Sequence, residues 1–574
     1  MKLSIVKSKN ATQYYVIKSI RVDGRTTSKV VEKIGTYDEL IKNHPDPETY
    51  ARAYVDELNR KEKESIKHDI ILKYDPNAII LKDNKVLYEG GYLFLQKIFY
   101  ELHLDYVCRK ISDKYDFEYS LKDILATLLY GRILFPKSKS GTYELSKDLL
   151  EPINFELHDV YRALSIIAEE TDYIQESVYK YSKDLGKRND GILFYDCTNF
   201  FFEVEHEEGM RKYGHSKEHR PNPIIQLGMF MDGDGIPLAF TIVDGNTNEQ
   251  ITLKPLEKQI ILDFGLSKFV VCTDAGLSST ANRKFNNFAD RAFVTTQSIK
   301  KMKDFQKEWA LNPKGWRLIG DSKLYNIDTI INDSSLRRTY KDSIFYKEEW
   351  FNENDIEQKY IVTFSLKYLE YCRHIRDEQI TRAEAALVSA KKSDRTRQTD
   401  YKRFISKISV TEEGEVASKV SYELNTLLIK EEEKYDGFYA VATNLEGDVS
   451  QIIRINSGRW EIEECFRIMK TEFKSRPVYL SRDDRIKAHF TTCFLALVVF
   501  RYLEIKLNHK YTCSEIINGL RSMKFFKQQA EGFSPAYTRT DFTDNLHEAF
   551  GFRTDYEIIS KADMRKIISN TKKR

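Results

Sequence analysis

Gly191-Ile-Leu-Phe-Tyr-Asp-Cys-Thr-Asn199 is a short apolar run that stops at a carboxylate, Asp196. Its apolar residues are contiguous rather than helically spaced and follow a glycine, so the stretch reads as a buried strand ending at Asp196. Downstream, residues 224–231 and 236–243 read as two further strands joined by Asp232-Gly-Asp-Gly235, whose glycines suit a tight antiparallel connection. Residues 249–264 carry helical spacing, 268–273 form an apolar strand running into Asp274-Ala-Gly, and 292–296 make one more short strand.

Strand, strand, strand, helix, strand, helix, strand, with acidic residues closing the first and fourth strands, is the order of a ribonuclease H-like core. The expectation is a mixed five-stranded sheet flanked by helices, within a multidomain α+β and α/β chain. A third carboxylate belongs to Asn456-Ser-Gly-Arg-Trp-Glu-Ile-Glu-Glu-Cys-Phe-Arg-Ile-Met-Lys-Thr-Glu-Phe-Lys474. Here Ile462, Cys465, Phe466, Met469 and Phe473 recur at three- and four-residue steps, giving the buried stripe of a helix. Arg459, Glu463 and Lys470 line one flank beside that stripe. A carboxylate between two cations at a core edge suits a cleft handling metal ions and phosphate; a solvated face of i,i+4 ion pairs explains this segment alone equally well.

Outward from the core, 574 residues imply three or more domains. Lys and Arg number 90 against 87 Asp and Glu, so any nucleic-acid contact has to be local. Local bias exists: residues 1–34 hold eight basic against two acidic residues, and 561–574 hold six against one. Residues 1–45 read as a hairpin module turning at Asp23-Gly24 and decorated by Lys18, Arg21, Arg25, Lys29 and Lys33. Next come a charged helical linker at 46–90 and a helical, DNA-binding domain at 91–190. Near its Pro136, Arg132, Lys137, Lys139 and Lys147 read as solvated cations. The core occupies 191–298 and 437–510, split by a mixed, β-rich insertion at 299–436; a C-terminal helical region with a basic tail fills 511–574. Seven scattered cysteines without a CxxC pair argue against disulfides and zinc and fit a reducing cytoplasm. The apolar run 493–500 is too short to span a membrane, so no membrane partner is expected.

Two strand-end aspartates and a helical glutamate, Asp196, Asp274 and Glu463, are the candidate metal ligands and catalytic residues. Paired divalent cations need shared carboxylates, and such hard oxygen donors favour Mg²⁺, with Mn²⁺ as substitute. With Tyr195-Asp-Cys-Thr198, Tyr213-Gly-His-Ser-Lys217, Thr273-Asp-Ala-Gly276, Arg476-Pro-Val-Tyr479 and Arg485-Ile-Lys-Ala-His489, they resemble the DDE transposases of bacterial insertion sequences. The resemblance is to the group with a Tyr-Arg-Glu-Lys signature and an insertion in the core. It implies that Asp196, Asp274 and Glu463 hold Mg²⁺ and that Arg459 and Lys470 grip DNA phosphate. It further implies that a homodimer on paired ends cuts transposon-end DNA and joins the freed 3′-OH to target DNA. On the loop after the first strand, Lys212, His215, Lys217 and Arg220 are placed to meet entering DNA. Tyr213, Trp460, Arg467 and His489 are secondary candidates; core packing is the expected role of Trp460, and a satisfied structural histidine serves His489 as well. The signature's tyrosine falls on Asn456, and Ala275 stands where many relatives have arginine. A transposon-derived DNA-binding protein without activity and a stand-alone ribonuclease H-like nuclease are the competing readings. The intact carboxylates and the large insertion favour the transposase.

Overall fold

The computed structural model describes every residue except 9–10, 23–24, 66–76, 78, 80–81, 389–399, 411–418 and 529–531. It divides into two compact units, Met1–Asn84 and Lys85–Arg574. In the first, strands Lys2–Lys7 (β1), Thr12–Val22 (β2) and Arg25–Thr36 (β3) form an antiparallel sheet in that order. β2 and β3 pair as their alternation asks, with Val22 opposite Arg25, while the expected Asp23-Gly24 turn lies outside the described residues. The sheet buries Tyr14 and Val16. Helix Tyr37–Leu40 (α1) follows, then Pro47–Ser65 (α2), whose Ala51 and Val55 are buried. Lys18 pairs with Glu62 of α2, leaving Lys29 and Lys33 exposed on β3.

The second unit opens with strand Leu87–Glu89 (β4). Helices Tyr92–Glu101 (α3), Leu104–Ser112 (α4), Leu121–Leu134 (α5), Lys139–Ser146 (α6), Leu157–Glu169 (α7) and Thr171–Ser182 (α8) then follow. α6 starts earlier than its apolar spacing suggests because the Ser138 hydroxyl accepts the Gly141 N–H at 3.1 Å and so sets the helix start. Next come Ile192–Phe201 (β5), Ile224–Asp232 (β6), Pro237–Asp244 (β7), helix Leu253–Asp263 (α9), Val270–Thr273 (β8), helix Thr280–Phe285 (α10) and Ala292–Thr296 (β9). β6 runs antiparallel to β5 and β7, while β8 is parallel to both β5 and β9, giving the order β7-β6-β5-β8-β9.

The sheet does not stop at five strands. The segment after β9 supplies helix Asp304–Leu311 (α11), Trp316–Leu318 (β10), Leu324–Tyr325 (β11), helices Ile327–Asn332 (α12) and Ser334–Thr339 (α13), Phe345–Glu353 (β12) and Ile356–Phe364 (β13). Helix Leu366–Val388 (α14), Ile405–Val410 (β14), Lys419–Leu424 (β15), helix Thr426–Glu433 (α15) and Phe438–Thr443 (β16) complete it. β16 pairs with the open edge of β9, and β13, β12, β10 and β11 continue outward, so one sheet holds ten strands among the described residues. An unpaired edge at β9 would leave a row of backbone groups unsatisfied, and the insertion satisfies it.

Helices Val449–Ser457 (α16), Trp460–Thr471 (α17), Asp483–Lys506 (α18) and Cys513–Ser522 (α19) follow. Then come Lys524–Gln528 (β17), Gly532–Pro535 (β18), helix Asp541–Phe550 (α20), Ile559–Ser560 (β19) and helix Lys561–Thr571 (α21). The C-terminal region is therefore not purely helical: β19, β18 and β17 form a small sheet with β4, so the end of the expected linker is a paired strand. The basic tail is folded too, with Thr571 Oγ1 donating to Gln96 Oε1 at 2.8 Å and Arg574 3.2 Å from Asp105. α18 is the axis of this unit and packs against α3, α5 and α7. By length and composition α18 matches a membrane span, yet 94% of its apolar window is buried within the protein. Arg482 precedes this helix and pairs with Asp484 of its first turn at 2.7 Å.

Candidate active site

Asp196 is not at a strand end. β5 continues to Phe201 because β6 pairs along its whole length, Phe201 lying opposite Ile224. On the other side the pairing with β8 breaks off after Phe194 opposite Cys272. Asp274 follows directly on the end of β8 at Thr273, and its charge reaches Asp196, two residues beyond the last β5 residue paired with β8. The two aspartates thus lie near the point where β5 loses its parallel neighbour. Burial pushes the half-buried Asp196 carboxyl up to about 6, and Asp274 adds to the rise; Lys217, the Cys197 N–H at 2.8 Å and Arg459 oppose it. Asp274 caps its own turn, Oδ1 accepting the Leu277 N–H at 2.9 Å.

α17 brings the third group. Its stripe of Ile462, Cys465, Phe466, Met469 and Phe473 is buried as its spacing asks. Gly458, at the end of α16 and two residues before α17, lets the chain pass close to β5: a Cβ there would stand 2.8 Å from the ring of Phe194, which shares the Asp196 face of β5. Arg459, next in sequence, lies within electrostatic reach of Asp196 and 3.6 Å from Glu463. Its buried Nε has no hydrogen-bond partner among the described residues. Glu463, exposed to 60%, is therefore linked to Asp196 through the charge of Arg459. About two helix turns further on, Lys470 lies over the Phe200 ring, 5.4 Å from its centroid. Burial and the neighbouring Lys217 pull the Lys470 ammonium down to about 8, while Asp196 holds it up.

The model of the transposase DDE domain matches residues 199–499. The chain belongs to the DDE transposase family. The matched span contains Asp274, Glu463, Arg459 and Lys470 and begins three residues after Asp196. Among solved structures the chain is similar to the piggyBac transposase synaptic complex with hairpin DNA, at 10% identity over 84% of this chain and 85% of that one, with a TM-score of 0.36. It is also similar to the Mos1 transposase paired-end complex with the left transposon end, at 13% identity over 40% and 64%, with a TM-score of 0.13. Likenesses this weak carry no argument. No curated protein matches the sequence.

In this DDE transposase the loop after β5 folds back over Asp196. Lys217 donates to the Cys197 carbonyl and lies 3.3 Å from Glu249. Burial lowers the Lys217 ammonium, but Asp196 and Glu249 outweigh it, so the group stays firmly charged. Arg220 covers the Phe201 ring at 4.2 Å. Lys212 lies 3.9 Å from Glu207, His215 is exposed with its carbonyl accepting from Asn199 Nδ2, and Tyr213 is 48% exposed. Trp460 does not pack in the core: it is 59% exposed, facing away from the stripe of its own helix. Arg467 is taken by Glu464, with Nε donating at 2.7 Å. His489 is structural, buried with Nε2 3.2 Å from the Ser475 carbonyl and held neutral by burial and by nearby Arg132 and Lys139. Those two cations are not solvated either. Arg132 donates to the Phe473 carbonyl at 2.9 Å, and burial draws the Lys139 ammonium down to about 7.

Asn456, at the signature's tyrosine position, donates from Nδ2 to the Tyr439 hydroxyl at 3.1 Å, so a tyrosine from β16 reaches this place. The Asp232-Gly-Asp-Gly235 motif is structural: Asp232 is fully buried against Arg188, and the Gly235 carbonyl accepts Arg501 Nε at 2.9 Å. Sequence reasoning missed Glu218, Glu249 and Arg476. Arg476 stood in a quoted motif, and Glu218 in the charged loop, where flanking cations hid it. A separate group, Asp544, His547 and Asp555, has metal-ligand spacing, with one ligand atom of each within 4.8 Å. Arg553 lies 2.7 Å from Asp544 and also pairs with Asp555, and Arg539 lies 2.8 Å from Asp544, so these carboxylates are already neutralised.

Proposed function

We propose that this DDE transposase serves an insertion sequence: it binds transposon-end duplex DNA, hydrolyses a phosphodiester there and transfers the freed 3′-OH to target DNA. The order β7-β6-β5-β8-β9, with β6 reversed, supports a ribonuclease H-like core. The observation that carries the reading is that Asp196 feels the charge of both Asp274 and Arg459, the latter 3.6 Å from Glu463 at the start of the helix that also bears Lys470.

The donor set fits Mg²⁺: all three groups offer carboxylate oxygens, and the raised Asp196 carboxyl marks a buried negative charge that a cation would relieve. Bound Mg²⁺, held by Asp196, Asp274 and Glu463, would activate the attacking oxygen and stabilise the leaving one. The remaining work falls to side chains. Arg459, with its unpartnered Nε, offers a fork to a phosphate, and Lys470 offers a point charge. Water oxygen attacks phosphorus and the bond to the 3′ oxygen breaks; in transfer, that 3′-OH attacks a target phosphodiester and displaces another 3′ oxygen. Fixed position and fixed charge supply the rate enhancement. Lys212, His215, Lys217 and Arg220 line the approach, the basic hairpin of residues 1–84 adds DNA affinity, and two copies synapse paired ends.

The test incubates purified protein and Mg²⁺ with the inverted repeat that flanks its gene. Asp196→Ala, Asp274→Ala and Glu463→Ala are each expected to keep binding and to lose cutting by at least a thousandfold, on the order expected for removal of a metal ligand. Wild-type cutting rates in any one variant would remove that residue from the mechanism.

A further inference from the structure

We infer that Lys470, Arg476 and Arg220 form a phosphodiester-binding subsite beside the cleavage centre, and that Glu218 occupies it as an internal stand-in for phosphate. This rests on the reading of the chain as a DNA-cutting transposase. Glu218 projects from the loop over Asp196 into a group of three cations. Its Oε1 lies 3.5 Å from Lys470 Nζ and in close ion-pair contact with Arg476 Nη1, and its Oε2 lies 4.0 Å from Arg220 Nε. The three cations come from different places: α17, the segment after it and the loop itself. They converge over the adjacent rings of Phe200 and Phe201 at the end of β5.

Charge does not balance there. One carboxylate faces three cations, and Lys470 also feels Lys217. With side-chain exposures of 14% for Lys470, 23% for Arg476 and 25% for Glu218, these three are too sheltered for water to screen them fully, while Arg220, exposed to 50%, forms the open side of the group. A phosphodiester carries one negative charge over two oxygens, as the Glu218 carboxylate does, so it can take the carboxylate's place among the three cations, and the remaining surplus favours the next phosphate along the strand. The loop that carries Glu218 is held locally, the Glu218 and Arg220 N–H groups both donating to Ser216 Oγ at 3.3 and 3.2 Å. Lys217 in the same loop is held by the Cys197 carbonyl and Glu249 and acts on Asp196 only through its charge, so displacement of Glu218 opens the subsite without breaking a bond at Asp196. Glu218 thereby keeps the subsite closed until DNA arrives.

The test measures duplex binding against KCl concentration in EDTA for wild type, Glu218→Gln, Arg476→Gln, the double variant and Glu349→Gln. Glu349 is an exposed carboxylate on β12, separated from β5 by four intervening strands, and reports the effect of net charge alone. Glu218→Gln is expected to bind roughly tenfold tighter at 0.1 M salt, with a salt slope steeper by about 0.9, one counterion's worth. Glu349→Gln should change affinity less than twofold, and Arg476→Gln should cancel the gain in the double variant. Glu218→Asp, which withdraws the carboxylate by one methylene, should fall between. Affinity of Glu218→Gln equal to that of Glu349→Gln, or an Arg476→Gln effect identical in both backgrounds, overturns the inference while leaving the transposase reading intact. Inorganic pyrophosphate supplies the independent arm. Calorimetric binding to Glu218→Gln and not to wild type upholds the subsite even if no DNA end is cut, and no binding to either overturns it.

Discussion

Asp196 is the residue on which burial and chemistry conflict. Its carboxyl is raised from an ordinary value near 4 to about 6 chiefly by burial, so the folded chain holds the proton more tightly than the unfolded one across that window. By linkage, its contribution to stability falls as pH rises from about 4 to about 6, and above that the buried charge is a standing cost. Asp196→Asn is therefore expected to stabilise the metal-free protein by on the order of 2 kcal/mol at pH 8 and by nearly nothing at pH 4, while abolishing cutting. Paired thermal melts at the two pH values check this; a variant less stable than wild type at pH 8 contradicts it. Sequence alone singled out Asp196 and Asp274, but not their relation. Their proximity follows from the parallel pairing of β5 with β8, between segments 78 positions apart in the chain, which no local pattern encodes. Trp460 was legible and misread: two residues before Ile462, at 100° per residue, it points nearly opposite the buried stripe. Glu218 was hidden because a carboxylate among cations reads as a solvated loop until its partners from α17 are placed.

At the scale of elements, the approach of α17 to β5 decides whether Glu463 and Arg459 reach the aspartates. Gly458 permits that approach. Gly458→Ala places a methyl 2.8 Å from the Phe194 ring, so helix or strand must yield. The expected result is a modest loss of stability, about 1–3 kcal/mol, with cutting reduced roughly a hundredfold through misplaced groups and DNA binding nearly unchanged. Single-turnover cleavage and a denaturant melt separate the two effects; cutting at the wild-type rate would show that the close contact is immaterial. Helix spacing and strand alternation were readable here, as α17, α18 and β5 to β9 attest. The joining of β16 to β9 was not, because edge pairing across an insertion of more than a hundred residues depends on which backbone row stands unpaired, not on local composition. For the same reason β4 and β17 were taken for linker and helix: each is short, β4 becomes a strand only by pairing with β17, and β17 only between β4 and β18.

At the scale of the whole chain, residues 85–574 carry the core, both halves of the sheet and the folded C-terminal tail, while 1–84 form a separate compact unit. A fragment of residues 85–574 is expected to melt as one cooperative transition and to retain Mg²⁺-dependent cutting at high DNA concentration. It should bind duplex more weakly and with a shallower salt dependence, because the basic residues of the hairpin are gone. An unchanged salt slope would remove the N-terminal unit from the DNA interface.

The central claim is that Asp196, Asp274 and Glu463 share one divalent-cation site. Loading the DNA-bound protein with Fe²⁺ in place of Mg²⁺ and adding ascorbate and peroxide generates radicals that cut the polypeptide beside the bound ion. The account predicts backbone breaks near residues 196, 274 and 463 together, each suppressed by excess Mg²⁺. Breaks confined to the Asp544–Asp555 group, or present near 196 and 274 with none near 463, would contradict it.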